Sequence, residues 1–243
     1  MDVVLLRSCD SPDPYVHAFE ELGLTASCCP VLQFDFPNPE QLEQQLNADG
    51  KYSGLILTSP RAAHALNRSF DTHPDMRDNW TDRPVFVVGP KTAAAVESAG
   101  LTPLGQDAGN AASLVDRIAD VWVEKRLRRP LLFLSGNRRR DTIPTGLAAA
   151  GIPLAEQEVY QTSTRRDIEL PDGVRWLSFF SPSGLEALEA SRVMLHNYRL
   201  AAIGPTTAQK IRDVGLEPAA VADAPTPDDL ARAIVHADET SEA

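Results

Sequence analysis

"VFVVGPKTAAAVESAGLTP" occupies residues 85–103 and decides how the chain is read. A short apolar run meets Gly-Pro, and an Ala-rich stretch of helical character follows at once. The join recurs as "LAAIGPTTAQKI" (200–211), and with Ser-Pro as "LILTSPRAAHAL" (55–66) and "WLSFFSPSGLEAL" (176–188). Pro is favoured at the first helical position because its missing N–H would be unpaired there anyway. Ser or Gly before it serves as N-cap. Each join therefore predicts a strand that passes directly into a helix.

The joins belong to a repeat. "GPKTAAAVESAGLTP" (89–103) and "GPTTAQKIRDVGLEP" (204–218) share seven of fifteen positions without a gap. The Ser-Pro segments form a second pair. A third lies 128 residues apart: Val3-Val4-Leu5-Leu6 with Leu131-Leu132-Phe133-Leu134, Gly23-Leu24 with Gly151-Ile152, and Val31-Leu32-Gln33 with Val159-Tyr160-Gln161. Three kinds of unit thus occur twice, in the order A-B-C-A-B-C, and duplication is the better account.

Each unit reads as strand then helix. The runs "VVLLR", "GLILT", "VFVVG", "LLFLS", "LSFFS" and "LAAIG" suit strands covered on both faces. Leu114, Val115, Ile118, Ala119 and Trp122 recur at helical spacing. Gly100 and Gly215 are helix stops. Alternating elements predict two α/β domains with parallel sheets. One partition cuts near residue 128; another makes B-C-A the middle domain. "VLQFDF" (31–36) and "EVYQTS" (158–163) read as strands able to cross between domains. Periodicity leaves both partitions open.

Composition narrows the function. The net charge of −11 argues against general nucleic-acid binding, while an anionic small ligand would need local positive potential. No apolar run nears the roughly 20 residues of a membrane helix, and "MDVVLLRSCD" reads as a first strand, not a signal peptide. A cytoplasmic protein is expected. Cys9, Cys28 and Cys29 lack metal-ligand spacing and are expected as incidental thiols. The five His residues form no metal spacing and read as surface or structural. There is no GxGxxG after a strand, no Walker loop and no GxSxG elbow.

Helix starts at the carboxyl end of a parallel sheet expose N–H groups to anions, and such sheets bind ligands at that end. The residues after each Pro are mostly small or polar: Arg61-Ala62, Lys91-Thr92, Ser183-Gly184, Thr206-Thr207. Gly184 is costly inside a helix, which predicts close backbone approach to a ligand. Arg138-Arg139-Arg140 is read as opening a helix against its dipole, with Arg140 expected to face a bound anion.

"GLILTSPRA", "VVGPKTA", "SGNRRRDTIP", "VYQT", "FFSPSGL" and "AAIGPTTA…GL…PTPDDLA" together resemble uroporphyrinogen-III synthase, the animal-type enzymes most closely. The resemblance spans the chain. It implies two flavodoxin-like α/β domains, 1–33 with 164–243 and 37–158, joined by an antiparallel ladder and hinge at 31–36 and 158–163, with the active site in the interdomain cleft. The shortness of 163–175 leaves the hinge geometry open. It implies hydroxymethylbilane as substrate, closed to uroporphyrinogen III with loss of water and inversion of ring D through a spiro intermediate. Tyr160 is the implied catalytic residue. Thr58, Ser59, Thr92, Ser181, Ser183, Thr206 and Thr207 are implied substrate contacts, beside Lys91 and Gly184 from the junctions and Arg140 from the arginine run. No cofactor or metal, a monomer, and at most a transient contact with the preceding pathway enzyme are expected. A non-catalytic two-domain binding protein for a polyanion is the alternative.

Overall fold

The computed structural model describes residues 1–9, 11–48 and 50–241. The first A unit forms β1 (Val3–Leu6), α1 (Pro14–Glu21) and β2 (Ala26–Cys28). Next come β3 (Leu32–Asp35) and α2 (Pro39–Asn47). The first B and C units give β4 (Gly54–Leu57), α3 (Pro60–Thr72), α4 (Asp75–Asp78), β5 (Val85–Val87), α5 (Pro90–Ser98), β6 (Pro103–Leu104) and α6 (Ala111–Glu124). The second A unit gives β7 (Leu131–Gly136), α7 (Thr142–Ala149) and β8 (Leu154–Thr164). The last B and C units give β9 (Trp176–Phe179), α8 (Pro182–Ala190), β10 (Arg199–Ala202), α9 (Pro205–Asp213), β11 (Ala220–Val221) and α10 (Pro227–Ser241).

The chain divides into two compact units, Met1–Gln33 with Ser163–Ala243, and Phe34–Thr162. The first holds a sheet of order β11-β10-β9-β1-β2, with every pairing parallel. The second holds β3-β8-β7-β4-β5-β6, parallel from β8 to β6. Setting β3 aside, both sheets carry the repeat units in one spatial order, A-A-B-C-C. Each combines the A unit of one repeat with the B and C units of the other. Numbered within the first unit, the order is 2-1-3-4-5, the flavodoxin-like arrangement.

The apolar strand runs are buried on both faces, as their sequence predicts. Val4 and Leu6 pack with Leu185, Leu188 and Ile211 from α8 and α9. Val3 and Leu5 pack with Phe19, Leu230 and Ile234 from α1 and α10. In the second unit, Leu55, Leu57 and Leu134 meet Leu66, Phe70 and Val96, while Ile56, Phe86 and Phe133 meet Leu114, Ile118 and Leu147. Each such side chain stabilises by about 1.5–3 kcal/mol on burial. These layers fix the strand ends from which the candidate site is built.

Helix starts and stops follow the repeat. Pro60, Pro90, Pro182 and Pro205 each open a helix. Gly100 and Gly215 have φ of 79° and 80°, a left-handed conformation that lets the chain turn back after a helix. The amides that follow close the same bonds, Leu101 N–H to Val96 C=O and Leu216 N–H to Ile211 C=O. No described helix is long and apolar enough to cross a membrane.

Three expectations change. Cys9 and Cys28 form a disulfide instead of being incidental thiols, and Cys29 is free. Parallel pairing of β1 with β2 sets Leu5 opposite Cys28 and brings the segment after β1 to that cysteine, with Cα atoms 5.8 Å apart. The strand read at 158–163 starts earlier, at Leu154, because residues 154–157 pair with β7. The Arg138–Arg140 run lies in the turn before α7, which opens at Thr142 after Asp141.

Candidate functional site

Open parallel sheets take ligands outside the carboxyl ends of their strands, where the connections diverge. In the first unit that point lies between β1 and β9; in the second it lies between β7 and β4. Ser181, Ser183 and Gly184 follow β9, and Thr206 and Thr207 follow β10. Thr58 and Ser59 follow β4, Lys91 and Thr92 follow β5, and Arg140 follows β7. Tyr160 lies on β8 opposite Gly136, at the end of β7. Each of these residues thus follows the carboxyl end of a strand of its own sheet or, for Tyr160, lies opposite one.

The four junctions are not chemically equal. Ser59 Oγ accepts from the Arg61 N–H at 3.2 Å, and the Ala62 N–H donates to Ser59 C=O at 3.1 Å. That helix start is closed on itself, so the expectation of free donors there is corrected. After Ser181, the Gly184 N–H turns back to Ser181 C=O at 3.2 Å, and the Ser181 and Ser183 hydroxyls bond each other at 2.7 Å. At the Gly-Pro junctions the first N–H to turn inward belongs to Ala93 or Ala208, bonded to Gly89 C=O at 3.2 Å or Gly204 C=O at 3.0 Å. Ahead of them, the N–H groups of Thr92, Thr206 and Thr207 have no protein acceptor among the described residues. A glycine cap has no side-chain oxygen to take them. Helix dipole and open donors together favour an anion.

Exposure divides the candidates further. Thr92 and Thr207 are buried, at 2% and 5% exposure, so the hydroxyls closer to the edge belong to Thr58, Ser59, Ser181, Ser183 and Thr206. Gly184 is also buried. A Cβ there would lie 3.0 Å from Phe179 Cδ1 and 3.5 Å from Leu6 Cβ. The missing side chain makes room for α8 to sit on its own sheet, and that replaces the expectation of close approach to a ligand.

Tyr160 is half-buried. Ser135 faces Glu158 while Gly136 faces Tyr160, leaving one extra residue on β8. Such a bulge re-aims the side chains around it. Asn137 fastens the same end. Its Nδ2 donates to Thr162 C=O at 3.2 Å, and its Oδ1 accepts from the Thr162 N–H at 2.8 Å. Of the three arginines in the turn, Arg139 is clamped by Glu156, with Nη2 to Oε2 at 2.8 Å, and by Asp141. The Arg139 guanidinium holds the Glu156 carboxyl below its usual range. Arg138 and Arg140 are exposed and have no ion-pair partner among the described residues.

One cation at the first unit's edge escapes sequence reasoning. Arg7 follows β1 directly and contacts Asp13, Tyr15 and Phe180. Its only signal in the sequence is a charged residue closing an apolar strand. Cys9, Cys28 and Asp13 bring ligand atoms within 4.8 Å of one another. The two sulfurs are bonded together, however, and the carboxylate caps α1 and pairs with Arg7. That donor set is already committed and does not fit a metal.

Comparison with known proteins bears on the whole chain. The family model described as "Uroporphyrinogen-III synthase HemD" matches residues 13–232. A uroporphyrinogen-III synthase of Schizosaccharomyces pombe is 32% identical, with 97% of this chain and 97% of that protein covered. Its namesake in Saccharomyces cerevisiae is 30% identical over 74% of each. The crystal structure of uroporphyrinogen-III synthetase from Helicobacter pylori shares the fold with a TM-score of 0.59 at 16% identity, covering 97% of this chain and 98% of that one.

Proposed function

The chain belongs to the uroporphyrinogen-III synthase family, and from that membership we propose that it closes hydroxymethylbilane to uroporphyrinogen III. The substrate is an open chain of four pyrroles, each bearing an acetate and a propionate. Loss of its hydroxyl, with a proton, as water leaves an azafulvene cation. The substituted carbon of ring D attacks that cation and gives a spiro intermediate. Fragmentation, reclosure and loss of a proton complete the inverted ring.

The single observation that supports this reading beyond family membership is the pair of Gly-Pro helix starts. The first unit offers the Thr206 and Thr207 amides and the second the Thr92 amide, without acceptors among the described residues, at the edge where each sheet takes ligands. A polycarboxylate chain suits such donors. In the proposed roles, the Thr92, Thr206 and Thr207 amides, the Thr58, Ser59, Ser181 and Ser183 hydroxyls, and Lys91 and Arg140 hold carboxylates. Tyr160 assists departure of the hydroxyl. Residues 31–36 and 158–163 act as the hinge. Holding the chain in reactive shape replaces much of the entropy cost of an intramolecular closure. Following the family, we place the reaction in the cytoplasm, in a monomer that receives substrate from the preceding enzyme.

The test is direct. Freshly generated hydroxymethylbilane is incubated with the protein, the product is oxidised, and porphyrin isomers are separated. Type III is expected in excess over type I, which forms without enzyme. A ratio equal to the uncatalysed control would overturn the reading and leave a binding protein.

A further inference from the structure

We infer that Arg7 is a carboxylate-binding residue that orients the substrate in the first unit, an assignment that rests on the function proposed above. Leu6, the last residue of β1, is in register with Phe179, the last of β9. Arg7 therefore leaves the sheet between the two strands whose connections diverge, where sheets of this order bind ligands.

Its head group is held in advance. The guanidinium carbon lies 5.0 Å from the centre of the Tyr15 ring and 5.3 Å from that of Phe180. Those rings meet edge to face at 4.9 Å, and the Tyr15 hydroxyl donates to Pro225 C=O at 3.1 Å. Nε donates to Ser8 C=O at 3.1 Å. Nη2 lies 3.4 Å from Asp13 Oδ2, while Asp13 Oδ1 caps α1 by accepting from Tyr15 and Val16.

A guanidinium has five N–H donors. Only Nε and, at long range, Nη2 have acceptors among the described residues. The side chain is just 24% exposed. A cation mostly withdrawn from water, fixed by two rings and paired weakly is ready to take a carboxylate on its open side. Such bonds are stronger than neutral ones, and the fork geometry gives orientation as well as affinity. Prior fixation lowers the ordering cost on binding.

The repeat shows why this position matters. Position 7 corresponds to Ser135 in the second A unit, a buried serine at 3% exposure. The nearby cation on that side, Arg139, is neutralised by Glu156 and Asp141. Duplicated halves thus differ at their divergence points: the first presents a cation held between two rings, whereas Arg138 and Arg140 of the second are exposed. A substrate with similar arms on every ring needs such a difference to bind one way round.

A purely structural Arg7, present to neutralise Asp13, would affect stability and leave affinity alone. The test uses full-length Arg7→Gln and Arg7→Lys, assayed with hydroxymethylbilane and titrated at equilibrium with uroporphyrin III, a stable oxidised ring that keeps the carboxylates. Arg7→Gln should raise KM and the porphyrin Kd about 10–100-fold with a smaller change in kcat, and Arg7→Lys should recover part of the loss. Unchanged KM and Kd in Arg7→Gln overturn the proposal. Should that variant not fold, Asp13→Asn decides, because Asn still caps α1 while the guanidinium is released. Porphyrin binding should then tighten about two- to fivefold, because the Asp13 carboxylate no longer competes for the guanidinium; no tightening overturns the proposal. A wild-type protein that forms no excess of type III defeats the family-level reading instead, a result the Arg7 variants cannot produce.

Discussion

The ring of Tyr160 rests on the main chain of Gly136 with no space for a methyl group between them. A Cβ at Gly136 would lie 2.5 Å from Tyr160 Cε2 and 2.7 Å from its hydroxyl oxygen. The bulge in the β7–β8 pairing brings this about, because it sets Gly136 against Tyr160 directly after Ser135 against Glu158.

Gly136→Ala tests that contact. The backbone at 136 is outside the left-handed region, so alanine meets no conformational penalty there. Its cost comes from the ring, at about 1–3 kcal/mol for overpacking. Pairing it with Tyr160→Ala should recover most of the loss in a double-mutant cycle. Strictly additive melting data would show that the ring does not rest there.

The two glycine caps should respond differently to one substitution. Gly204 has φ 171°, extended backbone open to any residue, and a Cβ there meets nothing within 4 Å. Gly204→Ser should leave stability unchanged or raise it by a few tenths of a kcal/mol. Its hydroxyl should also take the open Thr206 N–H and raise KM. Gly89 has φ 79°, where a side chain is strained, so Gly89→Ser should cost about 1–2 kcal/mol. Equal melting shifts for the pair would contradict this difference.

Much of this was legible in the residues. The joins at Pro60, Pro90, Pro182 and Pro205 are local, set by proline's fixed φ and absent N–H, so strand and helix could be read from a few letters. β2, β6 and β11 have only two or three residues each, too few for a pattern. The Cys9–Cys28 bond depends on parallel pairing across an intervening helix, which spacing does not reveal. Gly184 shows the limit at the site. A helical glycine signals close approach, but only the position of Phe179 shows that the approach is to the sheet. Arg7 was missed because a single cation after a strand looks like any surface charge until the rings around it are placed.

Gly184→Val should act on stability first. Its Cβ meets Phe179 and Leu6, and two further methyl groups overpack the same space by about 1–3 kcal/mol. Melting should fall by several degrees at about 2–4 °C per kcal/mol, with KM of the folded fraction nearly unchanged. An unaltered melting temperature beside a raised KM would restore the ligand-facing role.

Glu156 gives a pH dependence of known sign. Arg139 holds its folded pKa below the ordinary 4.5, so the unfolded chain binds more protons in the acid range. The pair's stabilisation is fully present above about pH 4.5 and fades as pH falls through the folded value. Partial exposure limits it to about 0.2–1 kcal/mol. Glu156→Gln should lower the melting temperature slightly at neutral pH and match wild type once Glu156 is protonated in both the folded and the unfolded chain. A difference that grows towards acid pH would reverse the assignment.

Tyr160→Phe is the sharpest test of chemistry at the site. The repeat places Leu32 at the equivalent position of the first A unit, so the phenol is a feature of one half alone. An ordinary strand aromatic would act through its ring, which phenylalanine keeps, including the contact with Gly136. A phenol that assists the departing hydroxyl acts through its O–H, which phenylalanine lacks. Positioned acid–base groups contribute about 10²–10⁴-fold, but this leaving group departs readily unaided, so a fall of about 10²-fold or less is expected. Slower closure gives the released substrate time to cyclise without the enzyme, so the type I fraction should rise together with the loss in rate. The melting temperature should stay near that of wild type. If rate and isomer ratio are both unchanged, Tyr160 has no part in bond breaking, and catalysis rests on how the proposed carboxylate sites fold the chain.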